Sequence, residues 1–170
     1  MTDDDNAGKW FSSLVLIFLA CFCLVLARAP QSNDRERTPG PQATEPATSD
    51  RIQPEELVNI LKARKGDRPV IFQIGSHLLY AQAHIPGSVY IGTSCTPEGI
   101  GELRKRAESL PRTQFIVFYC GCCPWSKCPN VMPAYVELRS MGFKKLKVLY
   151  LANDFSTDWV DKGYPVAKGE

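Results

Sequence analysis

The strongest constraint on how this chain folds is an alternation that runs from residue 51 onward, in which short apolar runs rich in β-branched residues are separated by stretches of helical period. The segment "QPEELVNILKARKG" (53–66) carries a proline at the first helical position, two acids in the first turn, Leu57, Ile60 and Leu61 on one face, basic residues near its end and a closing glycine. These signals predict a helix. "PVIFQI" (69–74) predicts a short buried strand and "SVYIG" (88–92) a weaker one. "PEGIGELRKRAESLP" (97–111) predicts an amphipathic helix, and "QFIVFY" (114–119) the most apolar strand of the chain. "VMPAYVELRSMGF" (131–143), "LKVLYL" (146–151) and "DFSTDWVDKG" (154–163) read as helix, strand and short helix. Strands separated by helices imply an α/β fold: a central, mostly parallel sheet with helices on both faces, three layers in all. Ligands in such folds sit at the carboxyl ends of the strands.

Ahead of this domain, "WFSSLVLIFLACFCLVLA", from Trp10 to Ala27, holds eighteen residues without a charge, about the minimum for a helix to cross a bilayer. It reads as an N-terminal transmembrane helix, a single-pass anchor to a membrane, over residues 10–28. A cleaved signal peptide is the rival, but the nine-residue tail before it (1–9) is acidic and Pro30 follows the Ala-Arg-Ala site, both poor contexts for cleavage. Cys21 and Cys23 read as small apolar residues of that helix, "FLAC" fitting a lipoprotein box poorly. Lys9 on one side against Arg28, Arg35 and Arg37 on the other favours a cytoplasmic domain by the positive-inside rule. Many N-terminal anchors hold their domain on the extracytoplasmic side, so the side stays open. Residues 29–50 contain no aromatic or large aliphatic side chain and read as a disordered linker. The folded part then spans 51–168, and no internal repeat is visible.

Charge narrows the partners. Residues 1–50 carry four Lys/Arg against seven Asp/Glu, and residues 51–170 carry sixteen against eleven. A mildly basic domain suits a small anion, and the absence of a basic, aromatic stripe excludes nucleic acid as the expected partner.

The chemistry concentrates in "FIVFYCGCCPWSKCPN" (115–130), where Cys120, Cys122, Cys123 and Cys128 follow the most apolar strand and precede a helix. A thiolate in such a loop meets converging backbone N–H groups and the positive end of a helix dipole, which lower its pKa and cradle an anion.

Several ordered motifs resemble one family. "AHIPGSVYIG" (83–92) resembles the Gly-His-Ile-Pro-Gly-Ala stretch of rhodanese-like domains, "DWVDKGYPV" (158–166) resembles their closing Trp-x-x-x-Gly-Tyr-Pro-Val, and "FIVFYC" followed by "LRSMGF" resembles the strand, cysteine and helix between them. The resemblance covers residues 50–168 and implies a rhodanese-like fold. It implies a sulfurtransferase in which Cys120 accepts sulfane sulfur from a small sulfur-containing anion or persulfide donor and passes it to a thiol acceptor, no cofactor being required. The loop Gly121, Cys122, Cys123, Pro124, Trp125, Ser126, Lys127, Cys128, Pro129 and Asn130 would hold the donor or the persulfide through backbone amides.

The chain departs from the family at several places. The arginine expected five residues after the cysteine is Trp125; aligned from the helix side Asn130 takes its place, the loop being about five residues longer than usual, and Lys127 is its only cation. The frequent Asp-Val-Arg is Gln73-Ile74-Gly75, the Glu is Leu79, and the Gly before His84 is Ala83. Phosphatases of the cell-division-cycle type share the fold and need the arginine as well, which argues against that activity.

Three readings of the extra thiols stand side by side. Cys120, Cys122, Cys123 and Cys128 satisfy the donor count of a Zn or Cu(I) site, in a non-catalytic module. Alternatively Cys123 or Cys128 resolves a Cys120 persulfide and leaves a disulfide. Third, a structural disulfide pins the loop. Cys95 reads as buried, near the end of the "SVYIG" segment. His84 reads as structural, His77 as a loop residue, Trp159 as core, and Trp125 as a wall of the site or a plug for the space an arginine leaves. Pro124 and Pro129 bracket the insertion and limit its wandering, and Asn130 or Cys128 caps the following helix, with Asn130 the better acceptor.

Overall fold

A computed structural model describes residues 45–63 and 66–169. Five parallel strands, β1 (Arg51–Ile52), β2 (Val70–Gln73), β3 (Val89–Tyr90), β4 (Ile116–Tyr119) and β5 (Leu146–Leu149), form one sheet in the order β1-β5-β4-β2-β3. Among the described residues, four α-helices accompany them: α1 (Pro54–Lys62), α2 (His77–Gln82), α3 (Pro97–Glu108) and α4 (Val131–Ser140), with one π-turn at Ser156–Val160 near the end. The α/β class and the parallel sheet expected from the alternation are both present.

The central strand explains the two-sided burial. All four residues of β4 are buried, and successive side chains of a strand point to opposite faces. Ile116 and Phe118 pack with Phe72, Leu103, Leu138 and Phe143 on one face, where α3 and α4 lie. Val117 and Tyr119 pack with Ile52, Leu57, Leu149, Phe155 and Trp159 on the other, under α1 and the π-turn. Each such side chain contributes about 1.5–3 kcal/mol on full burial, so a continuous apolar run here stabilises both layers at once.

Several local features differ from expectation. Helix α1 stops at Lys62 rather than running to Gly66, because Arg68 Nη2 donates to the carbonyls of Leu61 (3.0 Å) and Ala63 (2.9 Å), satisfying the helix end early. His77, read as a loop residue, opens helix α2, whose six residues are too few to show a period. The two-residue β1 was not anticipated, and Thr48–Asp50, assigned to the linker, forms a 3-10 turn whose Asp50 accepts from Tyr135 Oη at 2.6 Å. Trp159 is fully buried as expected. The apolar segment from Trp10 to Ala27 and most of the linker lie outside the described residues; among those described, no helix is long and apolar enough to cross a membrane.

Candidate active site

The carboxyl ends of β2 and β4 lie side by side, with Gln73 in register with Tyr119, so the residues that follow each strand face one another. Cys120 is the first residue after β4. It is buried, and it forms one wall of a cavity of about 410 Å³. Gln82 and Ala83 from the end of α2, Asp154, Phe155 and Ser156 from the π-turn region, and Lys168 complete much of that wall.

The strand end is built to receive a cysteine. Gln73, itself buried, donates from Nε2 to the Cys120 carbonyl at 2.9 Å and accepts at Oε1 from the Gly75 N–H at 3.2 Å. Gly75 leaves the room the thiol occupies: a Cβ there would stand 2.8 Å from the Cys120 carbonyl oxygen and 2.9 Å from Cys120 Sγ. Gly121 has φ +88°, a conformation L side chains rarely adopt, and turns the chain away from the strand. Its carbonyl accepts from the Phe155 N–H at 3.1 Å, and the Trp125 N–H donates to the Leu151 carbonyl at 3.0 Å. The long loop is thus tied to both edges of the cleft.

Around Cys120 Sγ the polar groups are dense. Asn130 Nδ2 donates to it at 3.2 Å, and Cys122 Sγ lies 3.2 Å away. The sulfur atoms of Cys120, Cys122 and Cys128 all lie within 4.8 Å of one another. The Cys120 thiol is pulled down to about 6, chiefly by the Cys128 thiol, against the opposing effect of burial and with help from the backbone N–H and thiol of Cys122 and from Asn130. Conversely Cys128 is pushed up by the neighbouring Cys120 and by burial, and Cys122 is pushed up to about 12 by burial and by its two thiol neighbours. These shifts favour the thiolate form on Cys120 over the other two thiols of the trio.

The remaining loop residues separate into two groups. Cys123 stands outside the trio, with its sulfur 3.2 Å from that of Cys122, so the four-donor set expected from sequence contracts to three with one neighbour. Pro124 leads into the 3-10 turn Trp125–Lys127, in which Ser126 and Lys127 are exposed and do not line the cavity; Pro129 is exposed as well. Trp125 is not among the residues that line the cavity. Its ring lies under the Arg51 guanidinium at 4.0 Å and beside Tyr150, fastening the loop to the β1 edge.

Asn130 stands at the N-cap position of α4 without a side-chain cap bond. Its Oδ1 accepts instead from the Cys95 N–H at 2.9 Å, and Ser94 Oγ donates to its carbonyl at 2.7 Å. Because Oδ1 is committed to an N–H, the amide has one orientation, and Nδ2 must face the sulfur. Cys95, expected to be buried, is exposed and serves through its backbone. His84 has the structural role read from sequence: its Nδ1 lies 2.8 Å from the Tyr80 carbonyl, and its ring stacks on Tyr80 at 3.9 Å.

Gln73, Gly75 and Lys168 were not read as site residues. Gln73 and Gly75 were visible as departures at a strand end. Lys168 comes from the far terminus, where paired bonds between His84 and Ala167 (2.9 and 2.8 Å) and one from the Gly169 N–H to the Ala81 carbonyl (2.9 Å) staple the last residues beside α2. Nothing local in the sequence marks that staple.

The sequence matches the profile of the family described as Rhodanese-like domain over residues 53–158. Among solved structures, the Alr3790 protein from Anabaena sp. superposes with a TM-score of 0.52 at 22% identity, covering 69% of this chain and 92% of that one. A thiosulfate sulfurtransferase from Pseudomonas aeruginosa gives 0.55 at 23% identity over 78% of this chain and 21% of its own, and the single-domain sulfurtransferase RDL2 from Saccharomyces cerevisiae gives 0.51 at 16% over 73% and 99%. At these identities the likeness is one of fold. A comparison with curated proteins returned no match.

Proposed function

The chain belongs to the rhodanese-like family, and from that premise we propose that it is a membrane-anchored sulfurtransferase carrying sulfane sulfur as a persulfide on Cys120. The observation that carries this reading is the place of the Cys120 sulfur: first residue after β4, at the wall of a cavity, with Asn130 Nδ2 and Cys122 Sγ each 3.2 Å away. The Cys120 thiolate attacks the outer sulfur of the donor; with thiosulfate, sulfite leaves, and with an organic persulfide, the parent thiolate leaves. An acceptor thiolate then takes the outer sulfur from Cys120, and the inner sulfur departs as the thiolate again. Asn130 Nδ2 and the Cys122 N–H stabilise that sulfur whenever it carries the charge. Lys168 supplies a cation at the cavity wall, where Lys127 of the loop does not reach, and favours an anionic donor. The apolar segment from Trp10 to Ala27 holds the domain at the membrane.

Intact mass spectrometry of the full chain in detergent, before and after thiosulfate or an organic persulfide, tests this reading. A gain of one sulfur atom, removed by reductant and missing in Cys120→Ser, is expected. A Cys120→Ser protein that loads as well as the parent overturns it.

One observation favours a second reading. Three sulfur atoms within 4.8 Å of one another form a ready-made set of soft donors, which suits trigonal Cu(I), whereas tetrahedral Zn needs a fourth ligand such as Cys123. Native mass spectrometry of chain purified without chelator distinguishes the two. A metal-sized mass lost on denaturation, with no sulfur uptake, moves the function to a non-catalytic metal-binding module.

A further inference from the structure

The three thiols are not equivalent with respect to the cavity. Cys120 and Cys122 line it, while Cys128 does not: it is 6% exposed and packs into the core with Val131 and Ala134. A second sulfur added to Cys120 Sγ finds space only on the cavity side, because the opposite side is filled by the core. Cys128 Sγ lies within 4.8 Å of Cys120 Sγ while its residue packs in the core and is absent from the cavity wall.

Thiol–disulfide exchange proceeds with the attacking sulfur roughly opposite the leaving one. Attack on the outer sulfur, from the cavity, transfers it to an acceptor. Attack on the inner sulfur, from behind, expels the outer sulfur into the cavity. Cys122 shares the cavity wall with the outer sulfur, and its cross-link to Cys120 would span one intervening residue, a strained closure. Cys123 is outside the trio. Cys128 alone among the loop thiols combines proximity to Cys120 with a place off the cavity wall.

We propose that Cys128 is a resolving thiol that converts the Cys120 persulfide into free sulfide and a Cys120–Cys128 disulfide, giving the site a second activity beside transfer to an external thiol. This rests on the persulfide reading above and deepens it. The step balances without an oxidant. The Cys128 sulfur forms a bond to Cys120 Sγ as the bond between the two persulfide sulfurs breaks. The outer sulfur leaves with the electron pair as hydrosulfide and takes up the Cys128 proton. The sulfane sulfur is reduced by two electrons and the two cysteines are oxidised to the disulfide. A second turnover requires an external dithiol reductant, which ties sulfide release to the supply of reduced dithiol.

The test loads full-length chain in detergent with inorganic polysulfide and removes the excess. Released sulfide is then trapped over time, and the cysteine links are mapped in alkylated digests. The expected result is about one sulfide per loaded chain, with a Cys120–Cys128 linkage in the parent. In Cys128→Ser, or Cys128→Ala if the serine variant does not fold, sulfide release slows at least about tenfold and the persulfide persists on Cys120. A Cys120–Cys122 linkage, or undiminished release from the Cys128 variants, overturns the proposal while leaving the sulfurtransferase intact. Loading without any sulfide release overturns it in the same way. Failure of Cys120 to take up sulfur in any variant overturns both.

Discussion

The Asn130 amide offers the sharpest handle on the thiolate, because its geometry separates two substitutions that look alike. In the parent, Nδ2 donates to Cys120 Sγ at 3.2 Å while Oδ1 is held by the Cys95 N–H at 2.9 Å. Asn130→Ala removes a bond to a charged acceptor, worth roughly 1.5–3 kcal/mol, and about 1.36 kcal/mol corresponds to one pKa unit. Asn130 is the last of the named causes that lower Cys120, so the lower end applies, and the midpoint rises from about 6 by about one unit. Asn130→Asp keeps the acceptor for Cys95 and turns the donor into an anion. Two like charges 3.2 Å apart at an effective dielectric of about 20 repel by roughly 5 kcal/mol, shared between the two groups. The expected Cys120 midpoint then lies at least about two units above that of the parent. The assay is the pH dependence of Cys120 alkylation, read by peptide mass spectrometry, with near-ultraviolet circular dichroism confirming that each variant is folded. The parent rate is expected to be flat above about pH 7 and to fall tenfold per unit below about 6, since protonation removes the nucleophile. Folded variants that both keep the parent midpoint would refute the claim that this amide holds the thiolate.

Three other perturbations follow from contacts already described. Gly75→Ala places a Cβ 2.8 Å from the Cys120 carbonyl oxygen and 2.9 Å from its sulfur; overpacking of this kind costs about 1–3 kcal/mol, so the melting temperature should fall and sulfur loading should drop with it. Lys168→Gln should leave loading by a neutral organic trisulfide unchanged while lowering kcat/KM for thiosulfate and flattening its salt dependence, measured by steady-state kinetics at two ionic strengths. Trp125→Ala removes the ring under Arg51 and a contact to Tyr150, a loss of about 1–2 kcal/mol that chemical denaturation would detect, and it should speed proteolytic cleavage within the loop.

How much of this was legible in the sequence depended on whether the determinant was local. The strand β4 and the helix α4 that frame the loop announce themselves by period and by apolar content, and Cys120 follows from their junction. The fate of Trp125 and Cys95 did not follow, because each was decided by a partner distant in sequence. Arg51 came to Trp125 from a two-residue strand too short to show a pattern, and Asn130 took the Cys95 N–H instead of capping its own helix. Lys168 was hidden for the same reason, being brought to the cavity by bonds to Ala81 and His84 more than eighty residues away.

The residues between Cys120 and α4 decide which physical effect acts on the Cys120 sulfur. With a short loop, a cysteine between strand and helix is stabilised by the backbone N–H groups and dipole at the helix start. Here Val131 begins α4 eleven positions after Cys120, and the dipole effect fades within about a turn of the helix end. The charge is met instead by side chains that the insertion delivers: the Cys128 and Cys122 thiols and the Asn130 amide. That substitution has a chemical consequence. A helix dipole stabilises a thiolate without being able to react with it, whereas a neighbouring thiol that donates a hydrogen bond is also a nucleophile once its proton is gone. The loop therefore surrounds Cys120 with groups that can oxidise against it, and under the proposed chemistry the contacts that favour the nucleophile would leave a persulfide there open to discharge from within.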